Sequence, residues 1–171
     1  SKIEFNIACT DLETTTFDYW RPETKVMCMG ICADDEDCWA IPLEHPQSPW
    51  RGQTQKILNY LKPYLENKLR WTNNNWKYDK KWFRKKYNIE VNFGPDPMLI
   101  GYANDENCPH DLKYQAAVNC DAPHYDKDIV WPKEFDPVVD DIKEKVAQYL
   151  KMNLRKLLKY NALDAFYGRH V

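Results

Sequence analysis

The stretch Ile3-Glu-Phe-Asn-Ile-Ala-Cys-Thr-Asp-Leu-Glu13 constrains the fold of this chain more than any other. Ile3, Phe5, Ile7 and Cys9 alternate with Glu4, Asn6, Ala8 and Thr10, the period-2 pattern of a β-strand. The same parity continues into Asp11 and Glu13. An apolar row therefore ends in two carboxylates on one side, just as the strand runs out into Thr14-Thr15-Thr16. Carboxylates so close repel, and burying them unpaired costs several kcal/mol. A cation between them removes both problems, and hard oxygen ligands of this kind suit Mg²⁺ or Mn²⁺. Taken alone, the pair is at least as well explained as two solvated side chains at a strand end.

A length of 171 residues fits one domain, 1–171, with a real core. The net charge of −2 gives no bulk basic character, so a nucleic-acid partner would have to be met by a local patch. No apolar run approaches the roughly 18 residues of a membrane span, and no signal peptide opens the chain. The six cysteines (9, 28, 32, 38, 108 and 120) show no C-x₂-C pair. Cys28, Cys32 and Cys38 lie in an apolar hairpin without a nearby histidine. They read as buried free thiols rather than zinc ligands, in a reducing, cytoplasmic setting.

Lys25–Ala33 and Cys38–Ile41 read as second and third strands, joined at Asp34–Asp37, in an antiparallel meander with the first. Gln53–Leu65 has Ile57, Leu58, Leu61 and Leu65 on one stripe, with Pro63 kinking or ending the helix. Leu69–Thr72 is a short fourth strand. Helices are expected at Trp76–Tyr87, Met98–Ala103, Asp111–Val118 and Pro137–Leu150, and a loop at Asp121–Lys133. A last helix runs from Leu154 to about Arg169 with Asn153 as its N-cap. Three strands, then helix, strand and helices, make a mixed α/β domain.

On the last helix, Tyr160 and Asp164 are four apart and share one face, at the edge of the stripe formed by Leu154, Leu157, Leu158, Ala162 and Ala165. Asn75 and Asp79 are likewise four apart on the first turn of the helix after the fourth strand, where the dipole favours a carboxylate. A routine helix start, with Asn as the cap, explains the second pair equally well. The helix that follows presents Lys77, Lys80, Lys81 and Arg84 on one face. This is either a backbone-tracking patch or a solvated surface whose aromatics fill the core.

Asp11-x-Glu13, Asn75-x₂-Tyr78-Asp79 and Tyr160-x₃-Asp164 occur in order on strand, helix start and helix. Together they resemble the Exo I, Exo II and Exo III motifs of the DnaQ-like 3′→5′ exonucleases, in the tyrosine-bearing (DEDDy) branch. The similarity is greatest to the proofreading domain of DNA polymerase I-type (family A) enzymes. Asn75-Trp-Lys-Tyr-Asp79 resembles that group's Asn-Leu-Lys-Tyr-Asp. Asp96-Pro-Met-Leu-Ile-Gly-Tyr102 resembles its Asp-Thr-Met-Leu-x-x-Tyr. Pro109-His-Asp-Leu-Lys-Tyr-Gln-Ala116 resembles its His-x-Leu-x-x-Leu-Ala, with Pro109 and Gln115 as departures. The short segments between motifs, and a first motif so near the start, are similar to a phage-type polymerase.

The resemblance implies a ribonuclease H-like fold, with a mixed central sheet of about five strands flanked by helices. It implies two divalent ions, Mg²⁺ or Mn²⁺, held by Asp11, Glu13, Asp79 and Asp164, with Tyr160 orienting the attacking water. At an ordinary pKa of about 10, Tyr160 positions better than it abstracts. Thr14, Phe17, Asn75 and Tyr78 are the expected substrate contacts, Phe17 as a wedge between terminal bases or else as a loop or core aromatic. His110 is read either as a phosphate contact or as a capping or core histidine. The expected substrate is the 3′ end of single-stranded DNA, and the product a nucleoside 5′-monophosphate. The expected context is an excised or free-standing exonuclease domain, with a polymerase domain or subunit outside this chain as partner. The competing readings are a ribonuclease D-like exoribonuclease and a binding or docking module.

Overall fold

Strand β1, Ile7–Thr14, is hydrogen-bonded on both sides: antiparallel to β2 (Val26–Cys32) and parallel to β4 (Arg70–Thr72). β3 (Cys38–Pro42) joins β2 antiparallel, giving the order β3-β2-β1-β4. This computed structural model describes residues 7–34, 37–127, 129 and 150–171. Residues 3–6 of the expected first strand, 35–36 of the turn, 128 and 130–133 of the loop, and 137–149 of the helix expected from Pro137 lie outside the described residues. The three-strand meander is present. Where about five strands were expected, the described residues form a sheet of four, with one isolated parallel bridge from Trp71 to Phe93.

The helices are α1 (Thr54–Pro63), α2 (Trp76–Tyr87), α3 (Pro97–Asn104), α4 (Leu112–Cys120) and α5 (Leu154–His170). Pro63 closes α1, and the chain continues through a wide π-type turn, Tyr64–Lys68. Asp96, Asp111 and Asn153 cap α3, α4 and α5 by accepting from the N–H groups of Met98, Tyr114 and Lys156 at 3.0–3.1 Å. α2 departs from this rule. Asn75 precedes it in the left-handed region (φ 61°) without a side-chain cap, so backbone conformation starts the helix. Asn tolerates that region better than most residues, which is why it serves here.

Side-chain alternation along β1 sorts the core into two layers. Ala8 and Leu12 face Leu58 of α1, Trp82 and Phe83 of α2, and the buried Val26, Met29 and Trp71. Cys9, on the opposite face, packs with Cys32 and with Ala165 of α5, and Cys28 packs with Leu157. Burial on both faces explains why β2 is apolar almost throughout.

α5 lies very close to the sheet. A Cβ added at Gly30 would stand 2.5 Å from the Asn161 carbonyl oxygen and 3.1 Å from the Ala165 Cβ. One added at Gly168 would stand 2.9 Å from the Cys9 sulfur. Gly30 is the β2 partner of Asp11, so the missing side chain lets α5 descend onto the carboxylate-bearing end of β1.

Cys32 and Cys38 correct an expectation. Rather than free thiols, they form a disulfide across β2 and β3, with Cα atoms 4.3 Å apart. The antiparallel register sets them directly opposite each other, a relation that spacing along the chain does not display. The cysteine argument for a reducing setting therefore lapses. Cys28 is a buried free thiol as expected; Cys9 is also buried and free, and Cys108 and Cys120 are free as well. Among the described residues, no helix is long and apolar enough to cross a membrane.

The close approach at Gly30 has a measurable cost of disruption. Gly30→Ala is expected to destabilise the fold by about 1–3 kcal/mol, because the new methyl meets helix backbone that cannot rotate away. Urea unfolding of the parent and the variant checks this, and an unchanged midpoint would contradict the packing.

Candidate active site

β1 brings Asp11 and Glu13 out on the face covered by α5, and α5 brings Asp164 down to meet them. One carboxylate oxygen from each lies within 4.8 Å of the others. Asp79 arrives from the opposite layer. Parallel pairing of β4 with β1 carries the chain past Asn73 into α2, whose first turn crosses the end of β1. There the Asp79 Oδ1 accepts from the Leu12 N–H at 3.0 Å. The β1–β2 register shifts between Glu13 and Thr14, so the strand turns away just past the carboxylates.

Two asparagine amides hold this cluster. Asn73 Nδ2 donates to Asp11 Oδ1 at 3.0 Å and to Asp79 Oδ2 at 2.8 Å, bridging the two acids. Asn161 Nδ2 donates to Asp11 Oδ2 at 2.8 Å and to the Asp11 carbonyl at 3.2 Å. Lys113, from α4, places its ammonium 2.9 Å from both oxygens of Asp164 and donates to the Tyr160 hydroxyl. The Tyr125 hydroxyl donates to Asp164 Oδ1 at 2.7 Å.

Burial, and then the charge of Asp164, push the Asp11 pKa up to about 6, while the Asn73 and Asn161 amides and Lys113 restrain the rise. Burial, then Asp11 and Asp164, hold Glu13 well above the ordinary carboxylate range. Burial and Asp11 do the same to Asp79, against the pull of Asn73 and the Leu12 N–H. Carboxylates whose ionised form is disfavoured, presenting only oxygen at short spacing, fit a hard divalent cation, whose charge reverses that penalty. Tyr160 is raised by burial, then by Asp164 and Glu13. It therefore stays protonated at neutral pH and serves as a hydroxyl donor.

Beside Glu13 lies a second group. The Thr14 and Tyr78 hydroxyls are hydrogen-bonded to each other, and Tyr78 also donates to the Thr16 carbonyl at 3.0 Å. Phe17 is 74% exposed, so it is not a core residue. Its ring stands edge-on to Tyr78 at 5.7 Å, and Tyr78 is backed by the buried Trp82 at 6.3 Å. Asn75 is exposed at the start of α2, and its backbone N–H donates to Asp96 at 2.9 Å. Thr14, Phe17 and Tyr78 thus gather at the carboxylates, while the contact observed for Asn75 is made through its backbone.

The basic face expected on α2 is partly neutralised. Lys80 and Arg84 pair with Glu90 at 3.3 and 3.4 Å, and Lys86 donates to the Arg21 and Thr24 carbonyls. Lys77 and Lys81 remain exposed. The His110 ring packs edge-on against Tyr102 at 5.3 Å, and its backbone carbonyl accepts from Gln115 at 2.9 Å.

Sequence reasoning missed Asn73, Asn161, Lys113 and Tyr125. Asn161 had a usable signal, since it lies three residues before Asp164 and shares its helical face. Asn73 was masked by two neighbours of the same type in what reads as a turn. Lys113 and Tyr125 come from a short helix and an aperiodic loop, where nothing local marks a residue that reaches a distant site.

No family model matches the sequence, and no curated protein matches it. Solved structures do. One described as the apo form of the nuclease aligns with a TM-score of 0.61 at 10% identity, covering 96% of this chain and 68% of that one. NrnC of Brucella melitensis with bound Mg²⁺ aligns with a TM-score of 0.58 at 12% identity, covering 97% and 69%. A second structure of the same NrnC gives 0.57 at 13% identity, covering 97% and 70%. At such identities the likeness speaks to architecture. The chain has the mixed α/β, ribonuclease H-like fold of these nucleases.

Proposed function

We propose that this chain is a divalent-metal-dependent 3′→5′ exonuclease. It removes nucleoside 5′-monophosphates from the 3′ end of single-stranded DNA, as a polymerase proofreading domain does. The observation that carries the reading is the meeting of Asp11, Glu13 and Asp164 within 4.8 Å, with Asp79 tied to Asp11 through Asn73. The order of the three motifs and the fold shared with nucleases support it. The choice of DNA, and of a polymerase domain or subunit as partner, rests on the segments around Asp96 and His110.

Asp11, Glu13 and Asp164 would hold one ion, and Asp11 with Asp79 would hold a second; Mg²⁺ or Mn²⁺ suits both. Such ions supply an activated water and a neutralised phosphate when bound. The protein supplies position. Asn73 and Asn161 fix both oxygens of Asp11. Tyr160, kept protonated by its burial and anionic neighbours, orients the water. Phe17 stacks on a terminal base with no preference for its identity, and Thr14 and Tyr78 line the path of the last nucleotide. The water oxygen bonds to phosphorus, the bond from phosphorus to the 3′ oxygen breaks, and that oxygen takes up a proton.

A 5′-labelled single-stranded DNA with Mg²⁺ or Mn²⁺ should shorten stepwise from its 3′ end, and EDTA should stop it. Asp11→Ala/Glu13→Ala should lose at least about 10³-fold in rate, the loss expected when groups that neutralise transition-state charge are removed. Tyr160→Phe should lose about 10²-fold. Preferred cleavage of an RNA of the same sequence would move the substrate to the ribonuclease class. No cleavage of either by folded protein would leave a binding or docking module.

The carboxyl shifts make a signed prediction. Groups with raised folded pKa values bind more protons in the native state than in the unfolded one. Their contribution to stability is therefore largest at low pH and falls as pH rises through about 6 for Asp11. Metal binding needs the deprotonated forms. Added Mg²⁺ should accordingly raise the Tm more at pH 7 than at pH 5, and Asp11→Asn should flatten the difference. An equal Mg²⁺ effect at both pH values would contradict the assignment.

A further inference from the structure

The Lys113 ammonium forks across both oxygens of Asp164 at 2.9 Å and also donates to Tyr160, the residue read as the water-orienting phenol. Tyr125 occupies Asp164 Oδ1 as well, at 2.7 Å. Both oxygens that Asp164 would offer to an ion thus already accept from donors of the protein itself. Asp164 is buried, while the Lys113 side chain keeps 32% of its surface. The lysine therefore reaches in from the rim of the cleft on a flexible four-carbon stem and has an open path out. The position of Lys113 at the start of α4, just after the Asp111 cap, fixes the base of that stem, while its tip is held by the acceptors of the cluster.

We propose that Lys113 is the resident cation of the acidic cluster: it holds Asp164 and Tyr160 in place without metal, and a divalent ion must displace it to engage Asp164. The inference rests on the metal-site reading above and adds a competitor built into the chain. Its charge acts on Asp11 and Glu13 as well as on Asp164, lowering the cost of keeping three carboxylates together. An ammonium so placed trades binding strength for order. It weakens the site for the ion, and it prevents the helix carrying Asp164 from being pushed away while the site waits.

The test is Mn²⁺ binding by titration calorimetry at fixed pH to the full chain, to Lys113→Met and to Lys113→Gln, with Asp11→Asn/Glu13→Gln as the control. The inference expects both lysine variants to bind Mn²⁺ about tenfold or more tightly than the parent, since removing a competing cation removes its share of the Coulomb energy. It also expects a lower melting temperature for both variants in EDTA. A crystal structure of the unaltered chain with Mn²⁺ should show Nζ withdrawn beyond hydrogen-bonding distance of Asp164, a readout independent of variant folding. Equal or weaker Mn²⁺ binding by the lysine variants would overturn the inference and leave the metal site standing. So would Nζ still seated on Asp164 beside a bound ion. Binding by none of the proteins, or binding unaffected in the acidic double variant, would overturn the metal-site reading itself.

Discussion

Repulsion among carboxylates is the interaction around which this molecule is arranged. Asp11, Glu13, Asp79 and Asp164 lie close together, and Asp11, Asp79 and Asp164 each raise the cost of ionising at least one of the other acids. Left alone, such a cluster would push its own elements apart or take up protons. The fold opposes this with specific donors: two asparagine amides divided over Asp11 and Asp79, one backbone N–H, one ammonium and a phenol. Apart from the bond between Asn73 and Asp79, six residues apart, each of these joins positions far apart along the chain. The network that tolerates the charges is thus also the network that fixes the tertiary arrangement.

The surrounding architecture can be derived from that requirement. Carboxylates on β1 need a strand that cannot shift, and β1 has hydrogen-bonded partners on both sides. Asp79 needs a helix that starts at the end of β1, and the parallel partner β4 delivers one. Asp164 needs a helix pressed against the opposite face, and glycines at 30 and 168 remove the side chains that would hold it off. The aromatic group of Phe17, Tyr78 and Trp82 lies outside the charged network but leans on the same helix α2.

The sequence disclosed those features that have local period or motif. The alternation through Ile7, Cys9, Asp11 and Glu13 located both the strand and its carboxylate-bearing end, because parity along a strand is a geometric fact. The i, i+4 pair of Tyr160 and Asp164 was legible for the same reason. Cross-strand relations were not legible. The opposition of Cys32 and Cys38 depends on register, and the approach of α5 depends on what Gly30 meets from another element. Lys113 lay within a segment already singled out, yet nothing in an isolated lysine says that its stem ends on Asp164. The helix expected from Pro137 lies outside the described residues.

The close seating of α5 has a consequence for ion choice. On the proposed reading, two ligands of the first ion ride on a strand locked by two ladders, and the third rides on a helix whose distance is set by contact at Gly30 and Gly168. The gap between helix and sheet then works as a caliper. Bonds from oxygen to Mg²⁺ run about 2.0–2.1 Å and those to Ca²⁺ about 2.3–2.6 Å, so a few tenths of an ångström in that gap separate one ionic radius from another. Discrimination between cations would be written into the absence of two methyl groups that never touch the metal.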